Sequence, residues 1–154
     1  QSPTRGIIAA GRDGVGTDIN LIDYITISTT GNSVDFGDLV SASHGRETMG
    51  GGNSTRGIFA GGNIPKTNVI SYITIASTGN AQDFGDLLTA REHVGGGTSS
   101  KTRGVFYGGG GSPGSNVREA IEILTTGNSI DFGDLTTARK AITSGACSNG
   151  HGGL

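Results

Sequence analysis

Apolar residues in this chain come in short runs, each stopped by Gly, Asn or Asp. Residues 55–62 (TRGIFAGG) form one such run and end on paired glycines. Residues 68–77 (NVISYITIAS) alternate, with Val69, Ser71, Ile73 and Ile75 on one face and Ile70, Tyr72 and Thr74 on the other, the period of a strand. The following Thr-Gly-Asn reads as a tight turn, because Gly and Asn tolerate positive φ. Residues 81–91 (AQDFGDLLTAR) supply a third strand. A weaker fourth lies at 93–100 (HVGGGTSS), matched by 47–54 (ETMGGGNS) and 141–148 (AITSGACS). No stretch has the periodicity of an amphipathic helix.

The pattern repeats. Thr-Arg-Gly occurs at 4–6, 55–57 and 102–104, Thr-Gly-Asn at 30–32, 78–80 and 126–128, and DFGDL at 35–39, 83–87 and 131–135. The last two phrases keep a constant interval, whereas the Thr-Arg-Gly spacing varies, so length changes are confined to particular loops. One domain over 1–154 is expected, with units of about 4–54, 55–101 and 102–148. Four antiparallel strands at this period predict an all-β fold, a β-propeller with three four-stranded blades. A β-solenoid is the alternative, but its coils have a much shorter period.

The order of the phrases resembles the kelch repeat: Arg91, then VGGGTSS, TRGVFYGG, NVISYITI and DFGDL, with Phe36, Phe84 and Phe132 where a kelch blade carries Trp. The first unit departs from it with Ala10-Gly11 for Gly-Gly and Ser43 for the arginine; in the third, Ala120 replaces the tyrosine. More closely, the wording is similar to kelch-like repeats of virion proteins in tailed phages, especially those of marine bacteria. The resemblance spans essentially the whole chain. It implies a structural or tail-associated role in a phage particle, with other virion proteins or a host-surface glycan or protein as partner.

Three blades cannot close a ring, since propellers close with four to eight. Two chains would supply six. The chain opens on the Gly-Gly strand (4–11) and ends on a spare inner strand (141–150), so a homodimer could complete its own first blade; the alternative is a piece of a longer propeller. A start at Gln1 fits a chain trimmed, processed or cut from something longer. Unit three carries Arg118, Ala120 and Glu122 where the others have Ile, Tyr and Thr. That face either meets another subunit or is simply exposed.

Composition narrows the function. Gly, at 30 of 154 residues, follows no Gly-X-Y period, which excludes collagen. A net charge of −2 with scattered signs offers no polybasic stripe for nucleic acid. No apolar run is long enough to span a membrane as a helix. Cys147 stands alone, which excludes an intrachain disulfide and reads as a small buried residue.

The chemistry-like phrases read as structure. Asp-Phe-Gly occurs in the magnesium-binding signature of kinases, but the companion motifs are missing and kinases do not use it three times. Phe and Leu of DFGDL are three apart and would face opposite sides of a regular strand, unless the Gly marks a bulge. Asp38, Asp86 and Asp134 are expected to accept local hydrogen bonds or pair with arginines. Arg5, Arg56 and Arg103 are expected to cover apolar surface and bond carbonyls or Asp. GRDGVG (11–16) and GGGGSPG (108–114) open no helix and so are not phosphate loops. His44, His93 and His151 lack ligand spacing, and no metal or cofactor is predicted; calcium at Arg12, Asp13 and Asp18 is a weak option. Asn53-Ser54-Thr55 matches a glycosylation sequon, a pattern common by chance.

Binding is expected at the loops joining the second and third strands, at 11–20, 63–68 and 109–116, which differ in length and charge on a constant scaffold. Their candidates are Arg12, Asp13, Asp18, Lys66, Thr67, Ser112 and Asn116. The leading expectation is a non-enzymatic assembly or attachment module. A lectin-like propeller is the alternative, though these loops carry no aromatic to stack on sugar. A kelch-fold enzyme is the third, lacking a Tyr/His/Cys metal constellation.

Overall fold

A computed structural model describes residues 4–41, 49–63, 65–92, 96–110 and 113–140. Every regular element among them is a strand, and the strands form three antiparallel sheets. The first sheet runs β1 (Arg5–Ala9), β2 (Leu21–Thr26), β3 (Val34–Asp38). The second runs β4 (Met49–Gly52), β5 (Arg56–Ala60), β6 (Thr67–Thr74), β7 (Gln82–Arg91). The third runs β8 (Gly96–Ser99), β9 (Arg103–Tyr107), β10 (Ser115–Glu122), β11 (Ile130–Arg139). No helix among these residues is long and apolar enough to cross a membrane.

Sheets and sequence units are out of phase by one strand. β4 closes the first unit but pairs with β5, from Met49 opposite Ala60 to Gly52 opposite Gly57. β8 joins the third sheet in the same way. The first sheet holds three described strands, with β1 at its edge. The segment 141–150, expected to be a spare strand, lies outside the described residues.

The core lies between sheets. Ile22, Phe36 and Leu39 of the first meet Phe59 and Ile73 of the second. The other face of the second sheet, with Ile58, Ala60, Ile70, Phe84 and Leu87, meets Phe106, Ile121 and Ile123 of the third. This explains why β6 is apolar on both faces. Each of the buried Ile, Leu and Phe side chains contributes about 1.5–3 kcal/mol on burial.

A bulge resolves the spacing inside DFGDL. The β2–β3 register passes from Ile22 opposite Gly37 to Asp23 opposite Asp35, leaving Phe36 as the extra residue. Phe84 is extra in the same way between Ile70–Gly85 and Ser71–Asp83. A regular strand would send residues three apart to opposite faces. The bulge turns Phe36 and Leu39 into one core, and Phe84 and Leu87 into the next.

The second and third sheets come closest along their Gly-rich edges. β4 and β8 lie side by side, while β7 and β11 approach each other less. Ser99 Oγ donates to the Gly52 carbonyl at 2.6 Å, and Asn53 Nδ2 to the Lys101 carbonyl at 2.8 Å.

Candidate functional site

The most regular polar geometry in the chain joins one repeat to the next. The Thr-Gly-Asn turn of each following unit lies against DFGDL of the preceding one. Gly79 N donates to Phe36 O at 2.7 Å and Ala81 N to Asp38 O at 2.8 Å; Asp38 N donates to Asn80 Oδ1 at 3.1 Å. Between the second and third sheets, Gly127 N donates to Phe84 O at 2.7 Å, Ser129 N to Asp86 O at 2.8 Å, and Asp86 N to Asn128 Oδ1 at 3.0 Å. Asp38 and Asp86 thus serve the junction through their main chains. The first Asp of the phrase makes a local bond, Asp35 Oδ1 accepting from Gly37 N at 3.0 Å. Asp134, in the third copy, pairs with Val117 across β10–β11.

The recurrent arginines reach across the same junctions. Arg5 Nη1 donates to the Ile75 carbonyl at 2.7 Å, and Arg56 Nη1 to the Ile123 carbonyl at 2.8 Å. Each guanidinium also lies over a tyrosine ring, Arg5 over Tyr24 at 4.6 Å and Arg56 over Tyr72 at 4.5 Å. Both rings stand edge-on to phenylalanine, Tyr24 to Phe36 and Tyr72 to Phe84. In the third unit Arg103 turns to Glu122 Oε1 at 3.0 Å and lies 5.7 Å from the Phe132 ring. Ala120 leaves a hollow of about 270 Å³ there, lined by Arg103, Ile121, Glu122 and Ile130.

One junction holds a buried ion pair, Arg91 with Glu119. Arg91 Nη1 also donates to the Gly108 carbonyl at 3.1 Å, and Glu119 Oε2 accepts from Leu88 N at 2.8 Å and Ser129 Oγ at 2.5 Å. Burial pushes the Arg91 guanidinium below its usual value, and the carboxylate beside it favours the charged form. The pair crosslinks the second and third sheets. Sequence reading placed Arg91 in the repeat but missed Glu119, whose equivalents are Asp23 and Ser71.

The variable loops gather at the end of the sheets where β7 and β11 finish. Gly62 N donates to Arg91 O at 3.1 Å, Gly109 N to Arg139 O at 3.1 Å and Gly110 N to Glu92 O at 2.6 Å. Lys66 Nζ pairs with Glu92 Oε1 at 2.8 Å. Thr67 begins β6 and Asn116 lies in β10, both half-buried. Arg12 Nε bonds Asp18 Oδ1 at 2.7 Å, closing a small hairpin. Asp13 Oδ1 accepts from Val15 N at 3.0 Å and Thr17 N at 2.7 Å. The carboxylates proposed for calcium are thus engaged by the loop itself, and no group of three His, Cys, Asp or Glu suited to a metal occurs among the described residues. Lys66 and Thr67 come together near Glu92, whereas Arg12, Asp13 and Asp18 belong to a separate loop. Ser112, Cys147, His44, His93 and His151 lie outside the described residues.

Asn53 of the sequon is buried: its Oδ1 caps the turn by accepting from Thr55 N and Arg56 N, both at 2.8 Å. No family model matches the chain, and no curated protein matches it.

Proposed function

We propose that the protein is a non-catalytic binding and assembly module, a kelch-like β-propeller whose ring of six blades is built from two chains. Its setting is a phage particle, where it joins virion proteins or attaches to a host-surface protein or glycan. The observation that carries this reading is the repeated junction. Each internal junction uses the repeated phrases to hold sheets together, and the sequence differences between units collect in loops at one end. Loops on a rigid scaffold are where recognition sits. The approach of β4 to β8, closer than that of β7 to β11, supports wedge-like packing of blades about an axis. The virion setting rests on the resemblance of the repeat wording to phage proteins.

The test is binding of labelled protein to intact bacteria and to isolated surface polysaccharides and proteins. Saturable binding is expected, and it should be lost when residues 12–18 or 63–67 are exchanged for Gly-Ser loops while the circular dichroism spectrum is kept. Turnover of a bound substrate, or binding indifferent to both loops, would overturn the reading.

A further inference from the structure

The two internal junctions define what each sheet face is built to meet, and two faces are left uncovered. On the third sheet, Phe132 is 39% exposed, whereas Phe36 and Phe84 are 3% and 2% exposed. On the first sheet, Ile27 is 57% exposed, whereas its equivalents Ile75 and Ile123 are 6% and 0% exposed. Ile8 and Ile25 are uncovered beside it, where Phe59 or Phe106 and Ile73 or Ile121 are buried. One face thus presents an unoccupied DFGDL; the other presents an undocked Thr-Gly-Asn turn. Each is the half of the junction that the other lacks.

The charged position at the junction decides between a generic sticky face and a specific partner. At the second junction the pair is Arg91 with Glu119, drawn from the end of one unit and the β10 position of the next. By repeat position in the sequence, their counterparts one unit earlier are Ser43 and Ser71, both neutral. The uncovered faces carry Arg139 and Asp23 at those positions. Neutral stands with neutral and cation with anion. The serine that supports the carboxylate follows the same rule: Ser129 Oγ donates to Glu119 and Ser33 Oγ donates to Asp23 Oδ2 at 3.2 Å, whereas the unit with the neutral Ser71 has Ala81 at that repeat position. Asp23 is half-buried and Arg139 is exposed. On the third sheet's open face the Arg118 guanidinium lies 5.7 Å from the Phe132 ring.

We propose that the uncovered face of the third sheet binds the uncovered face of the first sheet in a second copy of the chain, with Arg139 pairing to Asp23 of that copy. In this junction the Thr30-Gly31-Asn32 turn docks on Phe132–Asp134, and Gly31 N takes the bond to Phe132 O that Gly127 N makes to Phe84 O. Arg103 gives up Glu122 and reaches the Ile27 carbonyl, as Arg5 and Arg56 reach Ile75 and Ile123. Two identical junctions related by a two-fold axis close the ring. The pairing rests on the two-chain ring proposed above, and not on what the loop end binds.

The test is native mass spectrometry and sedimentation of the whole chain at micromolar concentration. Wild type is expected at twice the 15.5 kDa chain mass. Arg139→Asp alone and Asp23→Arg alone should each weaken the dimer by at least about tenfold, because like charges then face each other at both junctions. The double variant should restore it. So should an equimolar mixture of the two single variants, in which every junction of the heterodimer is matched. Hydrogen exchange gives a readout without mutation: on dilution to monomer, the amides of Gly31, Ser33 and Asp134 should lose protection while Gly79 and Ser129 keep theirs. A monomeric wild type, masses growing beyond two chains, single variants that dimerise like wild type, or protection changes elsewhere would each overturn the pairing. A monomer that still binds through its loops would overturn the pairing and the two-chain ring, and leave the binding role of the loops standing. A dimer whose binding ignores loop exchange would overturn the proposed function alone.

Discussion

The amide of Gly127 donates to the carbonyl of Phe84 at 2.7 Å, and this contact leaves no room for a side chain between them. A Cβ on Gly85 would lie 2.5 Å from the carbonyl carbon and oxygen of Gly127, and Gly85 has φ +143. Gly37 stands in the same relation to Gly79. The middle letter of DFGDL is therefore fixed by the next repeat. Gly85→Ala should destabilise the chain by about 2–4 kcal/mol. At Gly133 the nearest atom is Arg118 Nη2 at 3.2 Å, and φ is +83. Gly133→Ala should cost about 1–2 kcal/mol, from backbone strain alone. Urea denaturation of dilute protein compares the two, and equal losses would contradict this account.

The phenylalanines of DFGDL provide the second comparison. Phe84 is buried against Leu87, Phe106 and Ile123, so Phe84→Ala should cost about 3–5 kcal/mol. Phe132 touches Arg103 and Arg118 at the edge of the open face. Phe132→Ala should cost about 1–2 kcal/mol in the monomer, because Phe132 is only part-buried there, at 39% exposure. Thermal melts at low concentration would show the difference. A large loss at Phe132 in the monomer would mean that the face is already covered.

Arg91 and Glu119 form the third test. Removing one partner strands a buried charge, so Arg91→Ala should destabilise by about 3–5 kcal/mol. Ser43 and Ser71 stand at the corresponding repeat positions of the sequence, so the repeat is also written without charge there. Replacing both Arg91 and Glu119 with Ser should bring stability back to within about 2 kcal/mol of wild type. A double variant no better than Arg91→Ala would mean that the pair, rather than its isolated halves, is what the junction needs.

Much of the strand content and the role of DFGDL as a repeat marker could be read from the letters, because alternation in β6 and stops at Gly-Asn turns are local properties. The constant spacing between Thr-Gly-Asn and DFGDL also carried more than it first yielded: the two phrases touch across the junction, so neither can slip against the other. Less was legible where the answer depends on a neighbour. That Phe36 is a bulged residue, or that Gly37 faces the turn of the next unit, requires the register between strands. Glu119 escaped notice because its unit departs from the apolar pattern; it looks like a surface charge until Arg91 is brought beside it. The loop candidates were legible only as variable positions. Their bonds, such as Lys66 with Glu92, depend on how successive sheets stack.

The loop at 10–20 gives a prediction that pH can test. Asp13 Oδ1 takes amide bonds from Thr17 at 2.7 Å and Val15 at 3.0 Å, and Arg12 and Asp18 close the hairpin around it. The Thr17 amide, first, and those of Val15 and Gly16 hold the Asp13 carboxyl below its usual value of 3.8. A depressed folded value means that the ionised form is favoured by the folded loop. Its contribution is therefore complete above the usual carboxylate range and fades as pH falls through the folded value. The Val15 and Thr17 amide resonances should shift together in that acid range, while those of Gly79 and Gly127 stay fixed. Asp13→Asn keeps an acceptor oxygen without the charge, so the loop should hold its shape and lose that titration. Asp13→Ala should free the Val15 and Thr17 amides to exchange at neutral pH and weaken whatever this loop contributes to binding, with the sheets unchanged by circular dichroism. Titration of Val15 and Thr17 at an ordinary carboxylate value would show that these bonds do not form in solution.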